Sequence, residues 1–284
     1  MKITNNMGLP EPIVRAIKND NYTKGDADFS VTELLKPPRQ RALQNKHKDD
    51  LEEDASDRLW ALFGQMGHLL IERAGSKNEL TEKRYFMDFG GKKISGQVDS
   101  LSLTTEVLTD WKFTSAYAVK GQPMKPEWIA QLNMQKLLLE KNGHSVKHLQ
   151  ICAILRDWSK REAERSPDYP QKGVVVLPAE VWKPEQTIMF ISERILAHDQ
   201  AEKSLPECSK EERWAKDTEW ALMVKGQKRA KKLFQTRASA ELAIDYVKDS
   251  YIEERPGEST RCKSYCSASK FCDQYKQYLL NKGE

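Results

Sequence analysis

Residues 96–112, GQVDSLSLTTEVLTDWK, read as two short strands joined by a turn. β-Compatible residues fill 94–101 and return at 107–113, and Thr104-Thr105 suits the turn between them. Side chains alternate along a strand, so Asp110 and Lys112 share a face. Asp99 lies near the end of the preceding strand. If the strands pair, two carboxylates and one ammonium converge on one small patch. Burying that patch without counter-charge is costly. A divalent cation between the carboxylates removes the cost, because hard oxygen ligands suit Mg²⁺ or Mn²⁺. Lys112 can then meet charge developing on a phosphate.

The rest of the composition sets bounds. The chain has 284 residues, 39% hydrophobic and 31% charged, which describes a charge-rich globular protein of one large or two small domains. No apolar run approaches a membrane span, and the opening MKITNNMGLPEP lacks the apolar core of a signal peptide, so a cytoplasmic protein without a membrane partner is expected. The formal net charge of +4 permits a nucleic-acid partner without demanding one. Five cysteines are present, and Cys262, Cys266 and Cys272 crowd the end of the chain. Without a secretion signal, metal ligation explains such a cluster better than disulfides.

Along the chain, residues 1–28 read as a loosely held N-terminal arm with one short helix at 12–18. Ser30 or Thr32 can cap a short helix carrying Leu34 and Leu35, and Pro37-Pro38 ends it. Arg39, Arg41, Lys46 and Lys48 form a basic run with the look of a solvated face. Apolar residues at helical spacing predict an amphipathic helix over 54–75, with His68 and Glu72 one turn apart. Residues 79–89 predict a strand, and Gly90-Gly91 a hairpin turn. A helix over 126–142 follows, with Gln131 and Gln135 one turn apart. Strands at 146–155 and 174–177, the latter read as buried, precede a helix over 178–203. The order predicts a mixed α/β fold, a sheet covered by helices, spanning 29–204. The segment 205–284 differs. It holds a strand at 220–224, a basic run from Lys225 to Arg237 and a helix over 238–254, and it is expected to pack on the core.

His68, Asp99 after Gly96, Asp110-x-Lys112 and a helix bearing Gln131 stand in one order. This series resembles the PD-(D/E)XK nucleases, in particular their RecB-like and AddB-like branch. That branch carries Gly-x-x-x-His on a helix, here Gly64 to His68, then a Gly-x-x-Asp strand, an acid-x-Lys strand and a Gln-x-x-x-Tyr helix. The opening FSVTELLKPPRQRAL is similar to the SVTxLLxCPRxxxL start of CRISPR-associated and AddB-like members. The similarity runs from Phe29 to about Leu139, and the cysteine tail extends it to Cys272; stand-alone bacteriophage exonucleases are most alike. Two positions depart from the pattern. Lys36 stands where iron–sulfur relatives carry a cysteine, and Gln135 where tyrosine is usual.

The resemblance implies a restriction-endonuclease-like core and metal-dependent exonucleolytic hydrolysis of DNA, in viral recombination, replication or repair, within the host cytoplasm if the source is viral. It implies one or two Mg²⁺ or Mn²⁺ ions held by Asp99, Asp110, His68 and the backbone carbonyl of Trp111. Lys112 and Gln131 complete the catalytic set, with Glu72 behind it. Two other readings are a DNA-binding scaffold on a decayed nuclease fold and a CRISPR-adaptation-type nuclease acting in a complex. Intact Asp99, Asp110 and Lys112 speak against the first, and Lys36 speaks against the second. The implied partners are single- or double-stranded DNA, then a single-strand annealing or recombination protein and further copies of the chain.

The C-x3-C-x5-C spacing of the tail is one residue wider at its first gap than in the iron–sulfur relatives. An ammonium has no lone pair to donate, so Lys36 cannot be the fourth ligand. Cys208 takes that role, which leaves Cys152 as a buried free thiol. Four thiolates suit a 4Fe–4S cluster or a structural zinc ion, and the resemblance favours the former. Lys228, Arg229, Lys231 and Lys232 are the expected contacts to the DNA backbone, since no acid interrupts their run.

Overall fold

A computed structural model describes residues 1–20, 22–121 and 123–282; residues 21, 122, 283 and 284 lie outside it. The chain opens with β1 (Lys2–Thr4), α1 (Glu11–Lys18), β2 (Phe29–Ser30), α2 (Val31–Leu34), α3 (Pro38–Lys46) and β3 (Glu52–Asp54). Helix α4 (Leu59–Arg73) leads to the hairpin of β4 (Glu79–Phe89) and β5 (Lys92–Ser102), whose turn uses Gly90 and Gly91 at φ +56° and +78°. Glycine takes two such angles in succession without strain. Then come β6 (Val107–Thr114), α5 (Pro126–Lys141), β7 (His148–Leu155), α6 (Lys160–Arg165), β8 (Val174–Ala179) and α7 (Pro184–Lys203). The last third holds β9 (Ala215–Lys216), β10 (Glu219–Val224), β11 (Lys232–Phe234), α8 (Arg237–Ile244), β12 (Ser250–Arg255), β13 (Glu258–Ser259), α9 (Thr260–Ser264) and α10 (Asp273–Lys282).

The fold is mixed α/β, with a central mixed sheet flanked by helices. Strand β5 is its spine. β4 runs antiparallel along one edge of β5. The other edge is shared. β2 pairs parallel with it at Ile94 and Ser95, and β6 pairs antiparallel only from Ser100↔Thr109 to Ser102↔Val107. Beyond Ser100 the two strands part, because β6 turns to follow β7 in parallel up to Thr114↔Leu155. β8 closes the far edge. Along β6, Lys112 meets Gln131 of α5 while its neighbour Phe113 meets Gly67 of α4. Alternation therefore sets α5 and α4 on opposite faces of β6.

Burial explains the anchoring. Leu132 and Leu139 of α5 join Val98, Leu101, Leu108, Leu149 and Ile151 of the sheet in one apolar cluster. Leu138 and Met134 join Phe29, Leu34, Ile94 and Ile191 in a second. Each fully buried aliphatic side chain contributes roughly 1.5–3 kcal/mol. Ser30 caps α2 reciprocally: its hydroxyl accepts from Glu33 N–H, and the Glu33 carboxylate accepts from Ser30 N–H.

Several sequence expectations are corrected. Residues 1–28 are no loose arm: β1 pairs with β3, and Val14 and Ile17 of α1 are buried against Ala55. Arg39 is no solvated cation. It is 3% exposed, donating from Nε to Cys272 Sγ at 3.2 Å and from a terminal nitrogen to Pro206 O at 2.9 Å, with Asp273 as its ion-pair partner. The apolar stripe of α4 is not a core stripe: no residue of α4 is buried, and Trp60, Phe63, Met66 and Leu70 are exposed. β8 is a half-exposed edge strand, with Val174 and Val176 outward. The helix expected over 238–254 stops at Ile244. Asp249 adopts φ +57°, and the chain then returns as β12 against β10. The tail does pack on the core, since Cys272 and Ala268 cluster with Leu43 of α3 and Leu51.

Candidate active site

The fork between β5 and β6 creates the site. Asp99 stands just past the last paired residue of β5 and Asp110 just past its counterpart on β6. Trp111 N–H, released from strand pairing here, donates to Asp99 Oδ2 at 2.8 Å. Asp110 is 1% exposed. Gln131 Nε2 donates to its Oδ1 at 2.6 Å, and the Lys112 ammonium, 3.2 Å from Gln131 Oε1, stands 2.6 Å from its Oδ2. That last contact is an ion pair without hydrogen-bond alignment, so buried Oδ2 has no hydrogen-bond donor among the described residues. Gln131 thus grips the acid with its amide nitrogen and the ammonium with its amide oxygen.

His68 arrives from α4. Its Nδ1 lies 2.7 Å from Glu82 Oε1 and 3.8 Å from Asp99 Oδ2. Gly67 makes this approach feasible, because a Cβ there would stand 1.9 Å from the Phe113 ring. A cavity of about 610 Å³ opens over the fork, lined by His68, Glu82, Asp99, Asp110, Lys112 and Gln131. Glu72 lines the same cavity, with no contact to Asp99 or Asp110 among the described bonds.

Glu82 is the residue the sequence reading missed. Thr81 pairs with Ser100 and Lys83 with Val98, so Glu82 lies directly across from Asp99. Its backbone leaves the ladder at φ +50°. Gln97 Nε2 donates to Glu82 Oε2 at 2.6 Å, and Arg84 in turn donates to Gln97 Oε1 at 2.9 Å. A signal was present. Counting back from the Gly90-Gly91 turn sets Glu82 opposite Asp99.

The electrostatics follow from crowding. Burial, and then the charge of Asp110, push the Asp99 carboxyl up to about 7. Burial works against the His68 imidazolium, but the Glu82 hydrogen bond and the charges of Asp99, Glu82 and Asp110 outweigh it, leaving its pKa above the ordinary value. Three carboxylates thus face one lysine and one histidine. A divalent cation fits this donor set: a buried carboxylate oxygen without a donor, and an acid that otherwise holds its proton to near neutrality.

A second constellation lies in the last third. Cys208, Cys262, Cys266 and Cys272 line one pocket together with Arg39. No disulfide joins them. Burial first, then neighbouring charges including the other thiolates, push Cys208 up to about 12 and Cys262 up to about 11. Cys152 sits apart, buried in β7, as expected. Lys228, Arg229, Lys231 and Lys232 are exposed in and beside the turn between β10 and β11, and they do not line the 610 Å³ cavity.

No protein-family model matches the sequence, and no curated protein does. Among solved structures, one titled "Crystal structure of SSO0001" is similar, with 18% identity, a TM-score of 0.46, and coverage of 65% of this chain and 83% of that one. No helix among the described residues is long and apolar enough to cross a membrane.

Proposed function

We propose that this chain is a metal-dependent deoxyribonuclease on a PD-(D/E)XK core of the RecB-like kind, acting from DNA ends. The observation that carries the reading is the Asp99–Asp110–Lys112 trio at the β5–β6 fork, tied by Gln131. Asp99, Asp110 and His68 would hold Mg²⁺ or Mn²⁺. A bound ion supplies Lewis-acid polarisation of the phosphoryl oxygen and an acidified water. Lys112 presents a positive charge where negative charge grows on the phosphate, and Gln131 fixes that ammonium in place. Asp110, buried and held through Oδ1, keeps its orientation without reorganisation during the reaction. The open cavity has room for a nucleotide unit of a strand. The exposed cations at Lys228, Arg229, Lys231 and Lys232 suit the phosphate backbone farther from the cut.

The cysteine set fits a structural metal group. Arg39, buried, donates from Nε to Cys272 Sγ and ties this cysteine to α3. Four cysteines around one pocket suit a 4Fe–4S cluster or a structural zinc ion, and the resemblance of the tail spacing favours the cluster.

The decisive assay incubates purified protein with end-labelled single- and double-stranded DNA in Mg²⁺, Mn²⁺ or EDTA. Stepwise loss of terminal nucleotides, abolished by EDTA and by Lys112→Ala, is the expected result. DNA left intact under both metals, or cleavage unaffected by Lys112→Ala, would overturn the reading.

A further inference from the structure

We propose that Tyr22 is a stacking platform for one nucleobase of an unpaired DNA strand, which passes over it from the catalytic cavity into a second groove lined by Lys18. The inference rests on the nuclease reading above and names the form of DNA that the site takes, a single strand or a frayed end. Tyr22 stands ahead of Phe29, where the family resemblance begins, so the contact belongs to this chain's own N-terminal segment.

The ring is held without being covered. Tyr22 is 56% exposed and lines the cavity over the fork together with Asp110 and Lys112. Its backbone N–H donates to Asp20 Oδ1 at 3.0 Å, and its hydroxyl lies 3.4 Å from Thr32 Oγ1. The Arg84 guanidinium sits over the ring, 5.0 Å from its centroid, where the ring's π-cloud attracts the cation. Arg84 is itself fixed, donating to Ser95 Oγ at 3.2 Å and to Gln97 Oε1 at 2.9 Å. A surface tyrosine without partners swings in solvent. This one is pinned at its backbone, at its hydroxyl and over its ring, so little side-chain entropy is left to lose when a base stacks on it.

Two cavities meet at this ring. Asp20 and Tyr22 line both the cavity over the fork and a neighbouring one of about 770 Å³, whose wall carries Lys2, Lys18 and Arg58. Lys2 is engaged by Glu52, and Arg58 by Asp20. Lys18, at the end of α1, is exposed and has no ion pair among the described residues. A strand on this path meets Lys112 at the cut, then a flat aromatic surface, then a cation for a phosphate farther along. An aromatic face accepts any base, so the contact gives grip without sequence preference. A base inside a duplex has both faces covered by its neighbours in the stack and can offer neither to Tyr22. The arrangement therefore selects unpaired nucleotides.

Fluorescence anisotropy of the full-length protein with labelled oligonucleotides, with Ca²⁺ in place of Mg²⁺ to hold off cleavage, tests this. Tyr22→Ala should weaken single-strand binding about ten- to a hundred-fold, the loss expected for one stacked base. Tyr22→Phe and Tyr22→Trp should bind as wild type does, and with near-UV circular dichroism they control for misfolding. An abasic site moved stepwise along the strand should reproduce the loss at one position, and at that position it should cost Tyr22→Ala nothing further. Lys18→Ala should flatten the dependence of single-strand affinity on salt. On a blunt duplex, Tyr22→Ala and wild type should bind alike. Equal single-strand affinity in Tyr22→Ala and wild type would overturn the platform. So would a loss that Tyr22→Phe shares, or a comparable loss on the blunt duplex. Cleavage by wild type in Mg²⁺ is measured separately, so a failed platform leaves the nuclease reading standing, and absent cleavage removes that reading whatever the binding shows.

Discussion

The ring of Phe113 lies against Gly67 so closely that a methyl group at residue 67 would stand 1.9 Å from it. Phe113 follows Lys112, and His68 follows Gly67, so this one contact sets the distance between the strand that carries Lys112 and the helix that carries His68. Gly67→Ala must push α4 off β6 or force the ring aside. Overpacking of this kind costs about 1–3 kcal/mol. A stability loss of that size is expected in denaturant melts, with nuclease activity falling at least about ten-fold as His68 withdraws. Adding Phe113→Ala should restore much of both. Activity in Gly67→Ala equal to wild type would show that the contact does not position His68.

Lys112→Ala should lower cleavage by about a hundred- to a thousand-fold, the usual loss for one transition-state donor. It also leaves Asp110 buried without its counter-ion, so the metal-free variant should melt lower than wild type. Mg²⁺ should recover more melting temperature in Lys112→Ala than in wild type. His68→Ala, which removes a neutral ligand, should lose less activity and respond to added Mn²⁺. Calorimetry with and without metal checks the first pair, and a Mn²⁺ titration of activity checks the last.

Acid sensitivity should trace to His198. The ring is 1% exposed beside Phe29, its Nε2 lies 3.2 Å from Leu34 O, and Nδ1 has no hydrogen-bond partner among the described residues. Burial, aided by Arg194 and Arg41, pushes its pKa down from 6.5 to about 4. The unfolded chain therefore takes up this proton first as pH falls. His198 contributes full stability above about 6.5, and that contribution is lost as pH drops through the folded value near 4. Denaturant unfolding across this window should show a slope that His198→Gln flattens. An identical slope in both proteins would assign the acid sensitivity to other groups.

Cys208→Ser should lose iron or zinc as completely as Cys262→Ser or Cys272→Ser, while Cys152→Ala keeps it. Cys208 and the tail cysteines line one pocket, whereas Cys152 belongs to β7. Anaerobic purification with iron, sulfide and zinc analysis gives the content. Full occupancy in Cys208→Ser would remove it from the ligand set.

Alanine at Lys228, Arg229, Lys231 and Lys232 together should weaken DNA binding on all sequences and flatten the dependence of affinity on salt. The residues are exposed in and beside the β10–β11 turn, so the fold should tolerate the change. Fluorescence anisotropy over a salt series measures it. An unaltered slope would assign the phosphate contacts to another surface.

What could be foreseen from residue order alone was local. Asp110, Lys112 and Gln131 follow from strand alternation and one helix, and the pairing of short strands brings Asp99 to them. Glu82 needed the register of a whole hairpin and a left-handed glutamate, which propensity does not announce. Arg39 was hidden for a different reason. Its burial is dictated by Cys272 and Asp273, far along the chain, and a basic run gives no sign of that. The turn at Asp249 was missed because β12 forms only where β10 offers an edge, a tertiary effect that overrides the helical pattern of 238–254.

The Arg39–Cys272 contact spans 233 residues of sequence, and that gives it a meaning in time. A ribosome releases Cys272 long after Arg39. Until then a guanidinium destined for burial has neither sulfur nor carboxylate to meet. The central sheet, complete by Ala179, can assemble during synthesis. Helix α3 can lock only after Cys272 and Asp273 have emerged. A chain that stops short of Cys272 should therefore carry an assembled sheet under an unlatched α3, and closure of the cysteine pocket should wait on Cys272.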